Sequence, residues 1–145
     1  MRRIEIEHNP DIIVVGGQSG VVPYSYALKD DEYTVPTLSF LVATVPHVYV
    51  LCVNLSDDRE YIRDTIQVLE CLGKGKVVAL VASKITKSVI KETAFWETRT
   101  VDYMEYKEFS DEMYALFGLP TYDIMNESDS AKLVECILEY FSRRN

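Results

Sequence analysis

The sequence predicts an α/β fold, an open three-layer α/β/α sandwich built on a mostly parallel sheet. Three short apolar runs lack alternation between polar and apolar residues, which is typical of parallel strands covered on both faces. Between and after these runs, apolar residues recur with helical spacing. The chain has 145 residues, 48% hydrophobic and 26% charged, which is the length and composition of a single globular domain.

The three predicted strands are rich in β-branched residues and lie far enough apart to be joined by crossovers. They cover residues 11–16, 47–53 and 76–82. Ahead of them, Ile4 and Ile6 alternate with charged residues, which indicates an edge strand or an ordered tail. We expect right-handed helical crossovers between successive parallel strands, an arrangement that is Rossmann-like.

Two helices are predicted between these strands. Residues 35–45 form a short apolar helix that ends at a proline. Residues 57–72 form an amphipathic helix, with Asp57 at the N-cap, Glu60 three positions later and Gly73 at the C′ position. The second helix and its flanking strands make a βαβ unit of the usual length.

The C-terminal part is predicted as a small α/β unit. A short helix covers residues 109–117 with Ser110 as its N-cap, and a final amphipathic helix covers residues 128–141. The pattern is less regular before this unit. There the residue types favour a short helix over residues 87–96 and an edge strand over residues 98–102.

Charge and cysteine usage limit the classes of partner. The formal net charge of −8 argues against nucleic acid and against an anionic membrane surface as the main partner. The uncharged stretch over residues 33–56 contains Pro46 and His47, which disfavour a membrane-spanning helix. Three scattered cysteines, an odd number, indicate reduced core thiols in a cytoplasmic protein, and with only two histidines a zinc site is not expected.

A glycine-rich loop follows the first predicted strand at its carboxyl end, where open α/β sheets bind ligands. It consists of Gly16, Gly17, Gln18, Ser19 and Gly20. Glycines let a backbone approach a phosphate, and the two polar side chains offer hydrogen bonds. The spacing fits neither a dinucleotide fingerprint, nor a Walker A loop, nor a nucleophile elbow. A simple turn after a buried strand and a ligand-contacting loop therefore stay open.

A second polar loop follows the second predicted strand and contains Asn54, Asp57 and Asp58. The two aspartates suit the positive N-terminus of the helix that follows. Their carboxylates also suit Mg²⁺ or a ribose hydroxyl, so that helix capping and a ligand role both stay open. Together with the glycine-rich loop, these residues form the candidate ligand-binding site. The sequence identifies no catalytic residue.

The order of these segments resembles the second half of a dethiobiotin-synthetase-like P-loop NTPase domain. The likeness rests on residues 11–23, residues 37–82 and the closing phrase over residues 117–124 with the helix after it. That closing part looks similar to the C-terminal domain of an uncharacterised bacterial family, some of whose members are linked to D-glutamate N-acetylation, and to peptide-maturation-system proteins. The resemblance implies a nucleotide with Mg²⁺ as ligand, but the Walker A unit of the superfamily is absent from these 145 residues.

The function expected from the sequence is that of a ligand-binding or assembly domain of a bacterial cytoplasmic protein, without a complete catalytic site of its own. We expect it to be the C-terminal domain of a longer protein, partnered by an upstream domain, another protein or a second copy. A degenerate, non-hydrolysing relative of the superfamily is the competing explanation. Two alternatives stay open. One is part of a nucleotide-dependent ligase or acyltransferase that needs an N-terminal region, and the other is a structural docking module.

Overall fold

The computed structural model describes residues 2–17, 20–22, 35–90 and 95–143. Three parallel strands form one sheet in the order β1-β2-β5, and two antiparallel strands, β3 and β4, form a separate pair. The predicted α/β fold with an open, mostly parallel sheet is confirmed. The elements in chain order are α1 (Arg2–His8), α2 (Val35–Thr44), β1 (Val48–Cys52), α3 (Arg59–Gly73), β2 (Lys76–Ala82), β3 (Ile85–Ile90), β4 (Phe95–Thr100), α4 (Tyr103–Phe117), β5 (Thr121–Asp123) and α5 (Glu127–Ser142).

A bulge in the central strand β2 changes which of its side chains share a face. Val77 is paired with Tyr49 and Ala79 with Val50, so that Val78 is an extra residue in the register. Because side chains alternate between the two faces of a strand, one extra residue reverses the alternation beyond it. Apolar residues on the two sides of the bulge can therefore contribute to the same core.

Helices lie on both faces of this sheet. Residues from β2, α2, α3 and α4 form one buried cluster, whereas no residue of α5 belongs to it. Helix α5 instead contacts β2 and β5. Ala79 and Val81, which are buried but outside the cluster, lie on the α5 side. The main cluster comprises Val21, Leu41, Tyr49, Ile62, Leu69, Val77, Leu80, Ala82, Val101, Tyr106, Phe109 and Met113.

The amphipathic helix predicted before β2 is α3, displaced by about one residue at each end. Asp58 rather than Asp57 is the N-cap, and its carboxylate accepts a hydrogen bond from the backbone N–H of Glu60 at 2.7 Å. Gly73 is the last helical residue, and Lys74 is the left-handed C-cap with φ 60°. The capping interpretation of this segment is confirmed with these corrections.

The first predicted strand is wrong. Residues 11–17 form neither helix nor strand, and Ile12 and Val14 are 54% and 91% exposed. A β-branched run favours a strand, but pairing and burial decide whether one forms, and no described strand pairs with this run. The third parallel strand is instead Thr121–Asp123, which is too short to produce a sequence pattern of its own.

Two further local predictions are corrected. Ile4 and Ile6 lie in helix α1, where both are exposed, rather than in an edge strand. Arginine and glutamate, which alternate with them, are good helix formers. The helix predicted over residues 87–96 is replaced by parts of the β3–β4 pair, as far as the structure describes it, while the edge strand predicted over residues 98–102 corresponds to β4.

Helix α4 begins six residues earlier than predicted. Its N-cap is Asp102, whose carboxylate accepts a hydrogen bond from the backbone N–H of Glu105 at 2.9 Å, so Ser110 lies inside the helix. The three cysteines are unpaired, but Cys52 and Cys71 are exposed, which corrects the expectation of core thiols. None of the helices in the described segments has the length and apolar character needed to cross a membrane.

Candidate functional site

Buried polar side chains concentrate at the carboxyl edge of the parallel sheet. In the described residues, Asp57 after β1, Thr86 after β2 and Asp123 at the end of β5 are only 7%, 2% and 4% exposed. The fourth buried polar side chain, Thr65, lies within α3 and donates a hydrogen bond to the carbonyl of Tyr61. Because β1, β2 and β5 are parallel, the first three side chains lie at one edge of the sheet.

The loop after β1 is held by its own polar groups and by the start of β3. The backbone N–H of Asn54 donates to the carboxylate of Asp57 at 2.7 Å. The side-chain oxygen of Asn54 accepts hydrogen bonds from the backbone N–H of Ser56 at 3.2 Å and from the hydroxyl of Thr86. These bonds give the loop one shape and connect it to the segment that follows β2.

Lys84 carries a positive charge at the same edge, two residues beyond β2. Its ammonium lies 3.3 Å from the buried carboxylate of Asp123 and is 5.8 and 5.6 Å from the ring centres of Tyr103 and Tyr106. The other carboxylate oxygen of Asp123 accepts a hydrogen bond from the backbone N–H of Met125 at 3.0 Å. The Lys84 side chain is half-buried, with 34% of it exposed.

The hydroxyl of Tyr106 is buried beside two carboxylates. The residue is 7% exposed, and its hydroxyl has no hydrogen-bond partner in the part of the chain that the structure describes. Burial, and then the charges of Asp123 and Asp129, raise the pKa of this phenol. Asp129 is itself paired with Lys132 at 2.9 Å, and that hydrogen bond is the main reason that the pKa of Asp129 is lowered. At neutral pH the phenol therefore stays protonated and is a hydrogen-bond donor.

The structure describes only part of the glycine-rich loop. Gly16 and Gly17 are exposed, and a side chain added at either position would have no neighbour within 4 Å. Gln18 and Ser19, the polar members of the predicted site, lie outside the described residues. The described first half of the loop thus has no close contact with the other predicted site residues.

The far end of the same loop does reach the carboxyl edge. A Cβ atom on Gly20 would lie 2.6 Å from the hydroxyl oxygen of Tyr61, which is in the first turn of α3. Burial and then the charge of Asp57 raise the pKa of Tyr61, which shows that the phenol lies close to the β1 loop. Val21 is buried in the main cluster. Because Tyr61 lies close to both Gly20 and Asp57, these two residues lie on the same side of the sheet.

The two aspartates of the predicted site both have roles within the protein. Asp58 caps α3, and Asp57 accepts the hydrogen bond from Asn54. In the part of the chain that the structure describes, no three Asp, Glu, His or Cys side chains are grouped so as to hold a metal ion. A ligand role for Asp57 and Asp58 stays a prediction.

A shallow cleft of about 190 Å³ adjoins the β1 loop between α3 and α4. Two of its three glutamates are paired with arginines, Glu112 with Arg59 at 2.8 Å and Glu105 with Arg99. The Arg59 guanidinium also lies 4.9 Å from the ring centre of Phe109. The cleft is therefore polar, and much of its charge is neutralised by ion pairs. Its lining consists of Leu55, Arg59, Glu105, Glu108, Phe109 and Glu112.

Sequence reasoning missed three of the residues at this edge, Lys84, Tyr106 and Asp123. The signal for Lys84 was its position, because it is the first charged residue after a buried parallel strand. Asp123 ends strand β5 at the same edge, but the sequence does not predict that strand. Tyr106 reaches the edge only through the packing of α4 against β5.

Comparison with known proteins identifies no relative: no family model, no curated protein and no solved structure matches this chain. The interpretation of the site therefore depends on its geometry and chemistry.

Proposed function

We propose that this chain is a ligand-binding domain whose binding site is the carboxyl edge of its parallel sheet. The observation that carries the proposal is the concentration of Asp57, Thr86 and Asp123, buried and polar, at that one edge. Each of these side chains is hydrogen-bonded or ion-paired, which compensates for its burial. A few such ordered polar groups are typical of a ligand-binding site. Open α/β sheets bind their ligands at this edge.

The chemistry of the edge supports binding rather than a complete catalytic site. The carboxylate of Asp57 accepts a hydrogen bond from the Asn54 backbone. That of Asp123 accepts one from the Met125 backbone and is ion-paired with Lys84. Both carboxylates thus shape the site and are not positioned as a base beside a nucleophile. The ammonium of Lys84 is the group best placed to contact a ligand from solvent.

The ligand class that we test first is a nucleotide, with or without Mg²⁺. It is supported by the resemblance of the segment order to dethiobiotin-synthetase-like P-loop domains and by Gly20, which lies beside the first turn of α3. In this proposal the chain is part of a bacterial cytoplasmic protein, and an upstream region would supply any phosphate-binding loop. Turnover as a ligase or acyltransferase would then require that region.

A second candidate function, assembly with a protein partner or a second copy, is supported by helix α5. The helix has no buried residue in the described structure, and its apolar residues Val134 and Leu138 are 55% and 47% exposed. Exposed apolar side chains on one helix are typical of a surface that contacts another protein. Light scattering at several concentrations tests this candidate, which predicts a mass above that of one chain.

The binding proposal is tested by thermal unfolding with ATP, ADP, GTP, acetyl-CoA and inorganic phosphate, with and without Mg²⁺. A ligand at about 100 times its Kd adds roughly 2.7 kcal/mol to the free energy of unfolding, a shift of roughly 5 to 10 °C for this size. The key variant is Lys84→Met, and its control is Lys76→Met, at the opposite end of β2.

We expect a nucleotide to raise the Tm of the wild type and of Lys76→Met, each compared with its own ligand-free value. Lys84→Met should lose most of that shift, because it lacks the ammonium at the carboxyl edge. A shift that survives in Lys84→Met would contradict the site. No shift with any compound would contradict a nucleotide as the ligand and would favour the assembly candidate.

A further inference from the structure

Tyr106 has a buried hydroxyl that can donate a further hydrogen bond. The residue is 7% exposed, and among the residues that the structure describes its hydroxyl has no partner. Buried hydroxyls in proteins nearly always have a partner, either in the protein or in bound water or ligand. The Tyr106 ring lies 5.6 Å from the Lys84 ammonium, which pairs with Asp123 at the edge where ligands bind this kind of sheet. This position points to a ligand atom as the missing acceptor.

The charges around this hydroxyl are already paired. Asp123 lies 3.3 Å from the Lys84 ammonium, and Asp129 lies 2.9 Å from the Lys132 ammonium. The group that is missing is therefore a neutral acceptor and not a counter-ion. An oxyanion placed at the Tyr106 hydroxyl would face the two carboxylates and be repelled by them.

A hydroxyl group fits this environment, since it can accept a hydrogen bond from Tyr106 and donate one to a neighbouring carboxylate. The ring of Tyr103 is 65% exposed and lies 5.8 Å from the same ammonium. It provides an apolar face on which a ring carrying hydroxyls can pack. We propose that Lys84, Tyr103, Tyr106 and Asp123 form a subsite for the sugar ring of a nucleoside or for a free sugar. This inference rests on the proposed function and specifies which part of a ligand the edge binds.

Tyr49, in strand β1, is a matched control for Tyr106. It is 9% exposed, and its hydroxyl also lacks a partner among the described residues. It differs in its surroundings, because the hydroxyl packs against Gly73 and burial alone raises its pKa. No carboxylate acts on it, so the same chemical change at Tyr49 tests the loss of a buried hydroxyl without touching the subsite.

The experiment compares Tyr106→Phe with Tyr49→Phe in titrations with ribose, adenosine, uridine and inorganic phosphate, followed by NMR or calorimetry. We expect Tyr106→Phe to weaken the binding of adenosine and uridine, and of ribose if the sugar alone suffices, by roughly three- to tenfold, the effect of one hydrogen bond. Tyr49→Phe should leave these affinities unchanged. Neither variant should lower the Tm of the free protein, since each removes an unpartnered hydroxyl.

The outcomes separate this inference from the proposed function. If ribose and the nucleosides all bind, a free sugar is sufficient as the ligand. If only the nucleosides bind, the subsite binds the sugar ring as part of a nucleoside. If nucleotides bind through Lys84 but Tyr106→Phe has wild-type affinity, the sugar subsite is wrong, whereas the binding site at the carboxyl edge is supported. The subsite is also overturned if phosphate alone binds, if no compound binds, or if Tyr106→Phe lowers the Tm of the free protein.

Discussion

A tyrosine is buried near each of the two edges of the parallel sheet, and neither hydroxyl has a partner among the described residues, yet the two edges are built differently. At the amino edge, Tyr49 is packed against the backbone of Gly73 and Gly75, and a Cβ atom on Gly73 would lie 1.7 Å from its hydroxyl. At the carboxyl edge, Tyr106 lies beside the carboxylate of Asp123, which pairs with Lys84. The first edge is closed by close packing, whereas the second contains charged and hydrogen-bonding groups.

This difference shows why an unpartnered hydroxyl does not by itself indicate a binding site. At the amino edge, Gly73 and Gly75 lie so close to Tyr49 that even an added Cβ atom would clash with it. The polar groups present there have structural roles, as when the carboxylate of Glu70 accepts a hydrogen bond from the backbone N–H of Val77 at 3.1 Å. At the carboxyl edge, the half-buried Lys84 side chain and the exposed ring of Tyr103 lie near the buried hydroxyl. This contrast supports packing at one edge and the proposed binding at the other.

The largest effect is expected from Gly73→Ala at the amino edge. The new Cβ would meet the Tyr49 hydroxyl at 1.7 Å and Leu41 at 2.8 Å, so strand and helix must separate. We expect a loss of about 3 kcal/mol in the free energy of unfolding, measured in urea. The control is Gly16→Ala, where the added group meets nothing within 4 Å and should change stability by less than about 0.5 kcal/mol.

The Gly73→Ala variant also tests the difference between the amino edge and the carboxyl edge. Tyr49→Phe removes the atom nearest to the new methyl group, so the double variant should regain part of the stability lost in Gly73→Ala. Ligand affinity at the carboxyl edge should be the same in Gly73→Ala as in the wild type, at temperatures where both are folded. A stability of Gly73→Ala equal to that of the wild type would disprove close packing at the amino edge.

A smaller effect is expected from Asp58→Ala, at the carboxyl edge. The carboxylate accepts the hydrogen bond of the Glu60 backbone N–H, and loss of such a cap costs about 1 kcal/mol. Asp58→Asn retains a capping oxygen and should lose much less, which makes it the matched control. Equal losses in the two variants would argue against Asp58 as the N-cap, a role for which sequence reasoning chose Asp57.

The smallest effect concerns pH. The hydrogen bond from Lys132 lowers the pKa of Asp129 below its usual 3.8, so the folded state binds this proton more weakly than the unfolded state. Its contribution to stability is present above pH 3.8 and is lost as the pH falls through the lower folded pKa. In Asp129→Asn, the free energy of unfolding measured in urea should therefore decline less between about pH 4 and pH 2, by a few tenths of a kcal/mol. An unchanged pH profile would contradict this pairing.

Much of the fold could be predicted from sequence because it depends on local patterns. β1, β2, α2, α3 and α5 are marked by continuous apolar runs or by helical spacing, and the structure contains all five. The wrong predictions concern strands whose formation depends on pairing with residues that are distant in the sequence. Residues 11–16 have the composition of a buried strand but have no partner strand among the described residues, whereas the three-residue strand β5 pairs with β2 in spite of its length.

The candidate site was predictable only in part, for the same reason. The rule that ligands bind at the carboxyl ends of parallel strands identifies the loop of Asn54 and Asp57. Lys84 follows β2, Tyr106 lies in α4 and Asp123 ends β5, so the three meet only when α4 and β5 pack beside β2. No local pattern in the sequence indicates that these three residues lie close together.

The most direct test of the carboxyl-edge site is an NMR titration of the ¹⁵N-labelled wild type with adenosine, followed through its backbone amides. We expect the shifted amides to surround Asn54, Lys84 and Asp123 and those near Tyr49 and Gly73 to stay in place. Shifts centred on Tyr49 and Gly73, with the amides around Lys84 unmoved, would contradict a binding site at the carboxyl edge.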